Sequence, residues 1–337
     1  TTADENGNIT LEHEACTLEV LSQAQAAHNS GGIVIVEVKR IAQKDTLDPR
    51  MVKIPGILVD YIVVEPEPMM TWQTRFDASY IGEVKKPVSN IELLPLNVRK
   101  IIARRAALEL KYNSIVNLGA GISAGIPSIA VEEGIDKKVT FTIESGVIGG
   151  KGGLDLDFGT ATNPIAIIDQ GYMFDFYDGG GLDIAFLSFV EADKKGNINV
   201  TKLSGKIEGP GGFMDISANA KKVCFLGTFT AGGLEVSINE GKLNIINEGK
   251  FNKFVNEVSH LTWNADIARK NNQKVLYVTE RAVFSLNNKN IVLEEIAPGV
   301  DIDKHILSLM PFKPEISSNL KFMDMKIFIE YAMGINI

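Results

Sequence analysis

The chain of 337 residues is long enough to form two domains, each with its own hydrophobic core. Its 45% hydrophobic and 23% charged content is that of an ordinary globular protein, and a net charge of −8 argues against a nucleic-acid-binding surface. No apolar stretch approaches the ~18–20 residues needed to span a bilayer. Cys16 and Cys224 lack metal-ligand spacing and are interpreted as reduced thiols. We therefore expect a cytoplasmic protein that binds neither nucleic acid nor membrane.

A short phrase, Asp-x-x-Gly-Asn-Ile, occurs at residues 4–9 and again at residues 193–198. The separation is far too long for a solenoid repeat, so the phrase suggests two related domains. The alternative is that the phrase marks an ordinary turn before a strand, which arises often by chance.

The first block of the chain is residues 1–65, which contain two runs rich in β-branched residues, at 32–39 and 55–64. The first run predicts a core strand. Residues 66–90 hold three prolines among polar residues and are typical of a linker, so a second domain is expected at 91–337. The chain opens without a methionine, which suggests a fragment or a processed polypeptide.

The second block alternates between helix and strand patterns. Asn97 is a candidate cap for a helix that runs to about Tyr112, and a short buried strand at 114–117 follows. A helix near 127–134 and a strand that ends at Glu144 come next. This alternation predicts an α/β domain with a mainly parallel sheet. Further elements are expected as strands at 186–190, 223–227, 274–286 and 291–296, a hairpin at 287–290, and a helix that begins at Asp301 or Asp303.

The first helix of this block carries four basic residues. We interpret them as a solvated helix face, with a phosphate contact as the alternative. They are Arg99, Lys100, Arg104 and Arg105.

The segment 139–150 brings one carboxylate to a glycine-rich loop. Its β-branched and aromatic run predicts a strand with alternating faces. The side chains of Val139, Phe141 and Ile143 should face the core. Those of Thr140, Thr142 and Glu144 should face the opposite side. Glycines after a strand let a ligand approach the backbone, and a carboxylate placed there can act as a nucleophile. Glu144 is therefore the first candidate catalytic residue.

Three glycine loops accompany Glu144. At 119–125 the spacing is one residue too long for a dinucleotide fingerprint, so the loop is either an anion-binding loop or a plain strand-to-helix turn. Residues 178–183 hold three consecutive glycines, which a mere turn rarely needs. The loop at 209–215 could present backbone N–H groups to a developing oxyanion. The four histidines are dispersed and no Gly-x-Ser-x-Gly elbow exists, so neither a metal site nor a serine hydrolase is expected.

Taken together, these segments resemble the coenzyme A transferase family over nearly the whole chain, and most closely its fused-chain acetate/propionate type. The segments that carry the resemblance, in the family's order, are Asn-Leu-Gly-Ala-Gly-Ile at 117–122, Glu-Ser-Gly-Val-Ile-Gly-Gly at 144–150, Phe-Asp-Phe-Tyr-Asp-Gly-Gly-Gly-Leu-Asp at 174–183, Ala-Asp-Lys-Lys-Gly-Asn-Ile-Asn at 192–199 and Gly-Pro-Gly-Gly-Phe-Met-Asp at 209–215. The resemblance implies two related open α/β domains with mainly parallel sheets, the first of them truncated in this chain.

The resemblance also implies an activity and its residues. The family moves coenzyme A between short-chain acyl-CoA and carboxylates such as acetate, propionate or butyrate, with ping-pong kinetics, and Glu144 matches its nucleophile. Oxyanion and thioester donors are expected at Gly211, Gly212 and Asn199, although Asn199 is equally well interpreted as a turn residue. Substrate or coenzyme A contacts are expected at Gly119, Ala120, Gly121, Gly149 and Gly150. Ser123 and Val147 stand where the family often has proline, which puts substrate preference in doubt.

Acyl-CoA and short carboxylic acids are thus the expected partners, with no metal or redox cofactor, and the family predicts a homo-oligomer, either a dimer or a tetramer. Two alternatives stay open. One is an acyl-CoA hydrolase of the same fold, in which water replaces the acceptor acid. The other is a non-catalytic module that binds a nucleotide or coenzyme A. A dehydrogenase is disfavoured by the failed dinucleotide fingerprint.

Overall fold

A computed structural model describes residues 1–87 and 93–337 of the chain. The chain divides into two compact units, one formed by Thr1–Pro87 with Ile143–Asp175 and the other by Val88–Thr142 with Phe176–Ile337. Residues 88–92, at the expected end of the linker, lie outside the described residues. The domain boundaries expected from the sequence remain a prediction.

The first unit is built on a four-stranded sheet. Its strand order is Arg40–Ala42, Thr2–Asp4, Ile9–Thr10, Val52–Ile54. Thr2–Asp4 runs antiparallel to Ile9–Thr10 and parallel to Arg40–Ala42. The helix Val20–Asn29 packs against this sheet. Together they enclose a small core of Ala3, Ile9, Ala24, Val34, Val38 and Ile54.

The strand expected in the core of the first block is mostly exposed. It runs over Ile35–Val38 and pairs in parallel with Tyr61–Val64 in a sheet of two strands. Of its four residues only Val38 is buried, and the side chain of Ile35 is 64% exposed. The expectation of a core strand at 32–39 is therefore wrong. A β-branched run predicts a strand, but only a covering layer makes a strand part of a core.

Shorter elements complete the first unit. Val147–Ile148 pairs antiparallel with Ala166–Ile167, and Lys151–Gly152 pairs antiparallel with Ala161–Thr162. Single 3₁₀ turns lie at Gly56–Leu58 and Asp155–Asp157.

The second unit contains a larger sheet, of which eight strands are described here. In chain order they are β1 (Ile115–Leu118), β2 (Thr140–Ile143), β3 (Ile184–Ser188), β4 (Lys222–Leu226), β5 (Lys274–Val278), β6 (Ala282–Leu286), β7 (Ile291–Ile296) and β8 (Glu315–Phe322). Their spatial order is β2-β1-β3-β4-β5-β6-β7-β8. All neighbours are parallel except β5 with β6 and β6 with β7. The expected mixed α/β fold with a mainly parallel sheet is thus confirmed.

The second unit also contains small strands outside this sheet, at Glu191–Asp193, Ile198–Asn199, Lys202–Leu203, Lys206–Ile207, Thr230–Ala231, Glu235–Asn239, Lys242–Asn247, Phe251–Asn252 and Phe254–Val255. The α-helices after Val20–Asn29 are Val98–Ala107, Ile126–Glu132, Gln170–Asp178, Phe213–Asn219, Ala265–Lys270 and Ile302–His305. Within the described residues, no helix is both long enough and apolar enough to cross a bilayer.

Two of the expected helix caps are confirmed. The Asn97 side chain accepts a hydrogen bond from the Lys100 backbone N–H, and Asp301 accepts one from Lys304 at 2.7 Å. Such caps satisfy backbone donors that have no partner inside the helix. The first of these helices ends at Ala107, five residues before the expected end at Tyr112.

Three of the four bases, Lys100, Arg104 and Arg105, are buried, which contradicts the interpretation as a solvated surface. Arg99 is exposed, as that interpretation expects. Lys100 and Arg104 both pair with Glu132, while the guanidinium of Arg105 donates to both carboxylate oxygens of Glu295, at 2.7 and 3.0 Å. Charged side chains are almost never buried unless they are paired. Arg105 also pairs with Glu109, four residues further on, but Glu132 and Glu295 lie far away in the sequence, so the helix sequence alone gave no sign of them.

The repeated phrase folds into the same turn in both units. Asp4 Oδ1 accepts the N–H groups of Asn6 and Asn8 at 3.0 and 2.9 Å, and Asp193 Oδ1 accepts those of Lys195 and Asn197 at 2.9 and 3.0 Å. Each turn joins two antiparallel strands, and the first strand of each pair is also parallel to a third. The common pairing pattern supports a duplication over a chance recurrence of the phrase.

Candidate active site

Glu144 lies directly after β2, at the start of a tight turn in the first unit. The N–H of Gly146 donates to the carbonyl of Ile143 at 3.0 Å and closes this turn. Gly146 has a φ of +103°, and a Cβ at that position would lie 1.9 Å from the carbonyl oxygen of Ile168. Only glycine fits here. The close turn therefore fixes where the Glu144 side chain leaves the strand.

The expected alternation of faces along β2 is only partly correct. Phe141 and Ile143 are buried as expected, but Thr142 is buried as well, and its hydroxyl donates to the carbonyl of Val116 at 3.0 Å. A parallel sheet is covered on both faces, so its strands do not separate into a buried and an exposed side.

A cavity of about 330 Å³ in the first unit has the Glu144 side chain in its wall. We call it the Glu144 cavity. Its lining comes from four stretches of the first unit: Glu14, Ala15, Cys16 and Leu18; Met70, Thr71 and Trp72; Glu144 and Ser145; and Leu156, Phe158, Gly159, Thr160 and Gln170.

The Glu144 carboxylate has no hydrogen bond and no ion pair among the described residues. Its side chain is half-buried, and this burial raises the pKa of the carboxyl above its ordinary value of 4.5. Loss of hydration disfavours the charged form because no nearby cation compensates for it. A carboxylate that is neither paired nor fully hydrated keeps its oxygen atoms available for attack on an electrophile.

Next to Glu144, two side chains converge on one backbone carbonyl. The Cys16 thiol donates to the carbonyl of Gly159 at 3.0 Å, and the Ser145 hydroxyl donates to the same oxygen. Burial raises the pKa of Cys16 to about 11, so the thiol is neutral at pH 7. Both cysteines are free thiols, as expected. The position of Cys16 in the cavity wall was not foreseen, because the sequence gives no sign that it meets residues 144–160.

Gly149 and Gly150 lie just beyond the Glu144 cavity lining. Both have positive φ angles, and a Cβ on Gly150 would lie 2.4 Å from the carbonyl oxygen of Thr162. A Cβ on Gly149 would meet the Ile165 side chain at 2.5 Å. Packing alone thus accounts for both glycines, and their expected contact with substrate remains a prediction.

The loop of Gly119, Ala120 and Gly121 follows β1 in the second unit. The N–H of Gly119 donates to the carbonyl of Phe186 at 2.8 Å, and the carbonyl of Ala120 accepts the Ser188 hydroxyl at 2.9 Å. The loop therefore lies at the carboxyl ends of parallel strands, where open α/β sheets bind their ligands. A role in substrate binding is consistent with this position and remains a prediction.

Asn199 is fully buried in the second unit, and its side chain is fully engaged. Its amide nitrogen donates to Glu191 at 2.9 Å and to the carbonyl of Lys202 at 2.8 Å, and its Oδ1 accepts the Lys202 N–H at 3.0 Å. This is the geometry of the alternative interpretation, in which Asn199 holds a turn. Gly211 and Gly212 immediately precede the helix Phe213–Asn219. Their expected role as oxyanion donors remains a prediction.

Sequence reasoning missed the contribution of residues 70–75. The N–H of Met70 donates to the carbonyl of Arg75 at 2.9 Å, and that of Thr71 donates to the carbonyl of Thr74 at 3.0 Å. The resulting turn brings Met70, Thr71 and Trp72 to the Glu144 cavity. The stretch was interpreted as part of a linker, although a tryptophan among polar residues was a signal for a binding surface.

Comparison with known proteins agrees with the resemblance found in the sequence. The profile of the family described as coenzyme A transferase matches residues 1–65. The chain belongs to the coenzyme A transferase family. A caffeate CoA-transferase of Acetobacterium woodii is 48% identical over 100% of this chain and 66% of its own length. The acetate CoA-transferase YdiF of Escherichia coli (strain K12) is 46% identical over 99% of this chain and 63% of its own length.

Solved structures give the same result. An apoenzyme crystal structure of the acyl-CoA transferase YdiF from E. coli O157:H7 superposes with a TM-score of 0.92 at 45% identity, and a thioester complex of that protein with CoA superposes with a TM-score of 0.91. They cover the whole of this chain, which matches 64% and 63% of theirs. The chain thus spans less than two thirds of the length of these relatives.

Proposed function

We propose that this protein transfers coenzyme A between an acyl-CoA and a short-chain carboxylate of the acetate, propionate and butyrate class. The covalent intermediate is a glutamyl–CoA thioester on Glu144. Family membership and the names of the relatives support the reaction type. The single observation that carries the residue assignment is a carboxylate without a partner among the described residues, in the wall of a cavity of about 330 Å³.

The reaction proceeds by two exchanges at one side chain. A Glu144 oxygen attacks the thioester carbonyl of the acyl-CoA, and the CoA thiolate leaves, so that a mixed anhydride forms. The thiolate then attacks the glutamyl carbonyl, the original carboxylate leaves, and glutamyl–CoA remains. A second carboxylate reverses both exchanges and departs as its own CoA thioester. Thioester and anhydride are both activated acyl groups, so these steps call for no redox chemistry.

Stabilisation of the tetrahedral intermediates is the main demand on the site, because a carboxylate is a weak nucleophile. Each attack places negative charge on a carbonyl oxygen, and preorganised N–H donors offset that charge. We assign this role to the backbone N–H groups of Gly211 and Gly212. Loss of one such donor costs about 3–4 kcal/mol in comparable sites. Gly119, Ala120 and Gly121 are proposed to line the thioester-binding surface.

The decisive experiment is the mass of the protein after incubation with acetyl-CoA. The peptide that contains residue 144 should gain the mass of CoA less one water, and hydroxylamine should release the adduct. Glu144→Gln should show neither the gain nor acetate-dependent CoA exchange. Glu257→Gln, which alters an exposed carboxylate, is the matched control and should behave as the parent protein. An unchanged exchange rate in Glu144→Gln would refute the assignment.

We propose further that the protein works as a homo-oligomer, a dimer or a tetramer, in the cytoplasm. The first point rests on the family resemblance. The second rests on Cys16 and Cys224, which are free thiols as expected in a reducing compartment.

A further inference from the structure

The Glu144 cavity is larger and more apolar than an acetyl group requires. Its volume of about 330 Å³ falls at the lower end of the ~300–1,000 Å³ range of pockets that enclose drug-sized ligands. Among the described residues, no lysine, arginine or histidine lines it. Five large apolar side chains do, namely Leu18, Met70, Trp72, Leu156 and Phe158.

Trp72 is the most unusual member of this lining. Its side chain is 88% exposed, although tryptophan is one of the residues that gain most from burial. It lies in the 70–75 turn, whose backbone is closed by the two hydrogen bonds already described. The indole is therefore presented by an ordered turn at the rim of the cavity.

Asp157 fixes this turn to the cavity wall. Its buried carboxylate accepts the hydroxyl groups of Thr71, of Thr74 at 3.0 Å and of Tyr80 at 3.1 Å. Burial by itself would raise the pKa of Asp157, but these hydrogen bonds outweigh it and lower the pKa, so the carboxylate stays charged. The next residue, Phe158, is part of the lining. The Asp157 side chain thus holds the 70–75 turn against the wall of the Glu144 cavity.

Another residue of the lining, Leu18, shows backbone strain. Leu18 has a φ of +55°, a left-handed conformation that is uncommon for a non-glycine residue. Its carbonyl accepts the Gln170 N–H at 3.1 Å, and its side chain is 41% exposed beside the cavity. Strained residues of this kind persist where a site requires them.

We propose that the Glu144 cavity is the acyl pocket of the enzyme. Within it, Trp72 determines which carboxylic acids are accepted, because the indole packs against the apolar tail of the acid. The inference rests on the proposed function and extends its range of acids. The acceptor carboxylate attacks the glutamyl–CoA carbonyl while its tail lies in the cavity against the indole. Carboxylic acids with an aromatic or longer apolar tail are then preferred to acetate, because such a tail can pack against the five large apolar side chains of the lining, whereas the carboxylates of Glu14 and Glu144 disfavour an anionic tail.

The test compares acceptor acids by steady-state kinetics at fixed acetyl-CoA. We expect kcat/KM for 3-phenylpropanoate to exceed that for acetate by about tenfold or more, the discrimination that an apolar pocket gives. In Trp72→Ala this ratio should fall by about tenfold, mainly through KM for 3-phenylpropanoate, and Trp72→Phe should restore most of it. Tyr112→Ala, which removes an exposed aromatic ring elsewhere, should leave the ratio as in the parent protein.

The outcomes separate this inference from the proposed function. A Trp72→Ala protein that still forms the glutamyl–CoA adduct is folded and competent, so a ratio equal to that of the parent overturns the inference. A loss that is equal for all acids and lies in KM for acetyl-CoA also overturns it, because the indole would then contact the pantetheine arm. If the parent protein forms no adduct with acetyl-CoA, the proposed function itself fails, whatever the acid profile.

Discussion

At the scale of single residues, the half-buried position of Glu144 opposes stability, and in the proposed reaction it favours attack by the carboxylate. Burial without a counter-ion raises the pKa of the carboxyl, which means that the charged form is less stable in the folded protein than in water. The same loss of hydration exposes its oxygen atoms to an electrophile. Catalytic groups often carry such a cost in folding free energy.

The first prediction concerns pH. Because the folded-state pKa of Glu144 is above its value in the unfolded chain, the unfolded state loses this proton first as the pH rises. The contribution of Glu144 to stability is therefore fully present below the ordinary value of 4.5 and is lost as the pH rises through the folded-state pKa. Glu144→Gln should therefore raise the Tm at pH 7, by about 2–4 °C for each ~1 kcal/mol gained in a domain of 150–250 residues.

Thermal unfolding at pH 7 and below pH 4.5 provides the measurement, and the gain should vanish at the lower pH. Glu257→Gln serves again as the control. The acid limb of the kcat/KM profile of the parent protein should lie above the ordinary value for a glutamate, since only the carboxylate attacks. A variant that is less stable than the parent at pH 7 would contradict this account.

At the scale of elements, the two Asp-x-x-Gly-Asn turns allow one substitution to be compared in two settings. Gly7 and Gly196 both have positive φ, +82° and +92°. A Cβ on Gly7 would have no neighbour nearer than 3.4 Å, whereas on Gly196 it would lie 2.6 Å from Leu286 Cδ1 and from the Tyr277 hydroxyl. A substitution by alanine therefore costs conformational free energy at both positions. Only at Gly196 does it also create a steric clash.

We predict that Gly7→Ala destabilises by about 1 kcal/mol, through backbone strain alone. Gly196→Ala should cost a further ~1–3 kcal/mol, because Tyr277 is fully buried and its hydroxyl donates to the Gly196 carbonyl. Urea unfolding followed by circular dichroism measures both variants against the parent. An equal loss of unfolding free energy in the two variants would contradict this prediction, since Tyr277 would then move aside without destabilising the protein.

Several elements could be predicted from local sequence because their signals are local. Asn97 was predicted as a cap, and Asp301 as one of two candidates, since the capping bond joins residues three apart. The parallel strands were identified by their β-branched runs. The burial of the bases in the helix Val98–Ala107 could not be predicted. Arg105 has a local partner in Glu109, but its second partner, Glu295, lies near the other end of the chain.

The candidate site could likewise be predicted only where its signals are local in the sequence. Glu144 could be identified because a strand end and its glycines are adjacent in sequence. The Glu144 cavity could not be predicted, because Cys16, Trp72 and Phe158 reach it from three separate stretches. The 70–75 turn has no helix or strand pattern, and only the hydrogen bonds to Asp157 give it a defined position.

At the scale of the whole molecule, the proposed reaction has one covalent intermediate, glutamyl–CoA, which the acyl-CoA forms and the acceptor acid consumes. The first product leaves before the second acid arrives, so both half-reactions use the same Glu144 oxygen atoms. A site of this kind needs one carboxylate with room beside it, and the first unit has the Glu144 carboxylate in a cavity wall.

The last prediction is therefore kinetic. Initial rates against acetyl-CoA at several fixed concentrations of acceptor acid should give parallel double-reciprocal lines, because no complex holds both substrates at once. With excess acetyl-CoA and no added acceptor acid, each chain should release one equivalent of acetate and then stop, since reaction of glutamyl–CoA with the released acetate only regenerates acetyl-CoA. Intersecting lines would require a ternary complex and exclude the shared intermediate. Continuous release of CoA without acid would identify a hydrolase, in which water replaces the acceptor at the same carbonyl.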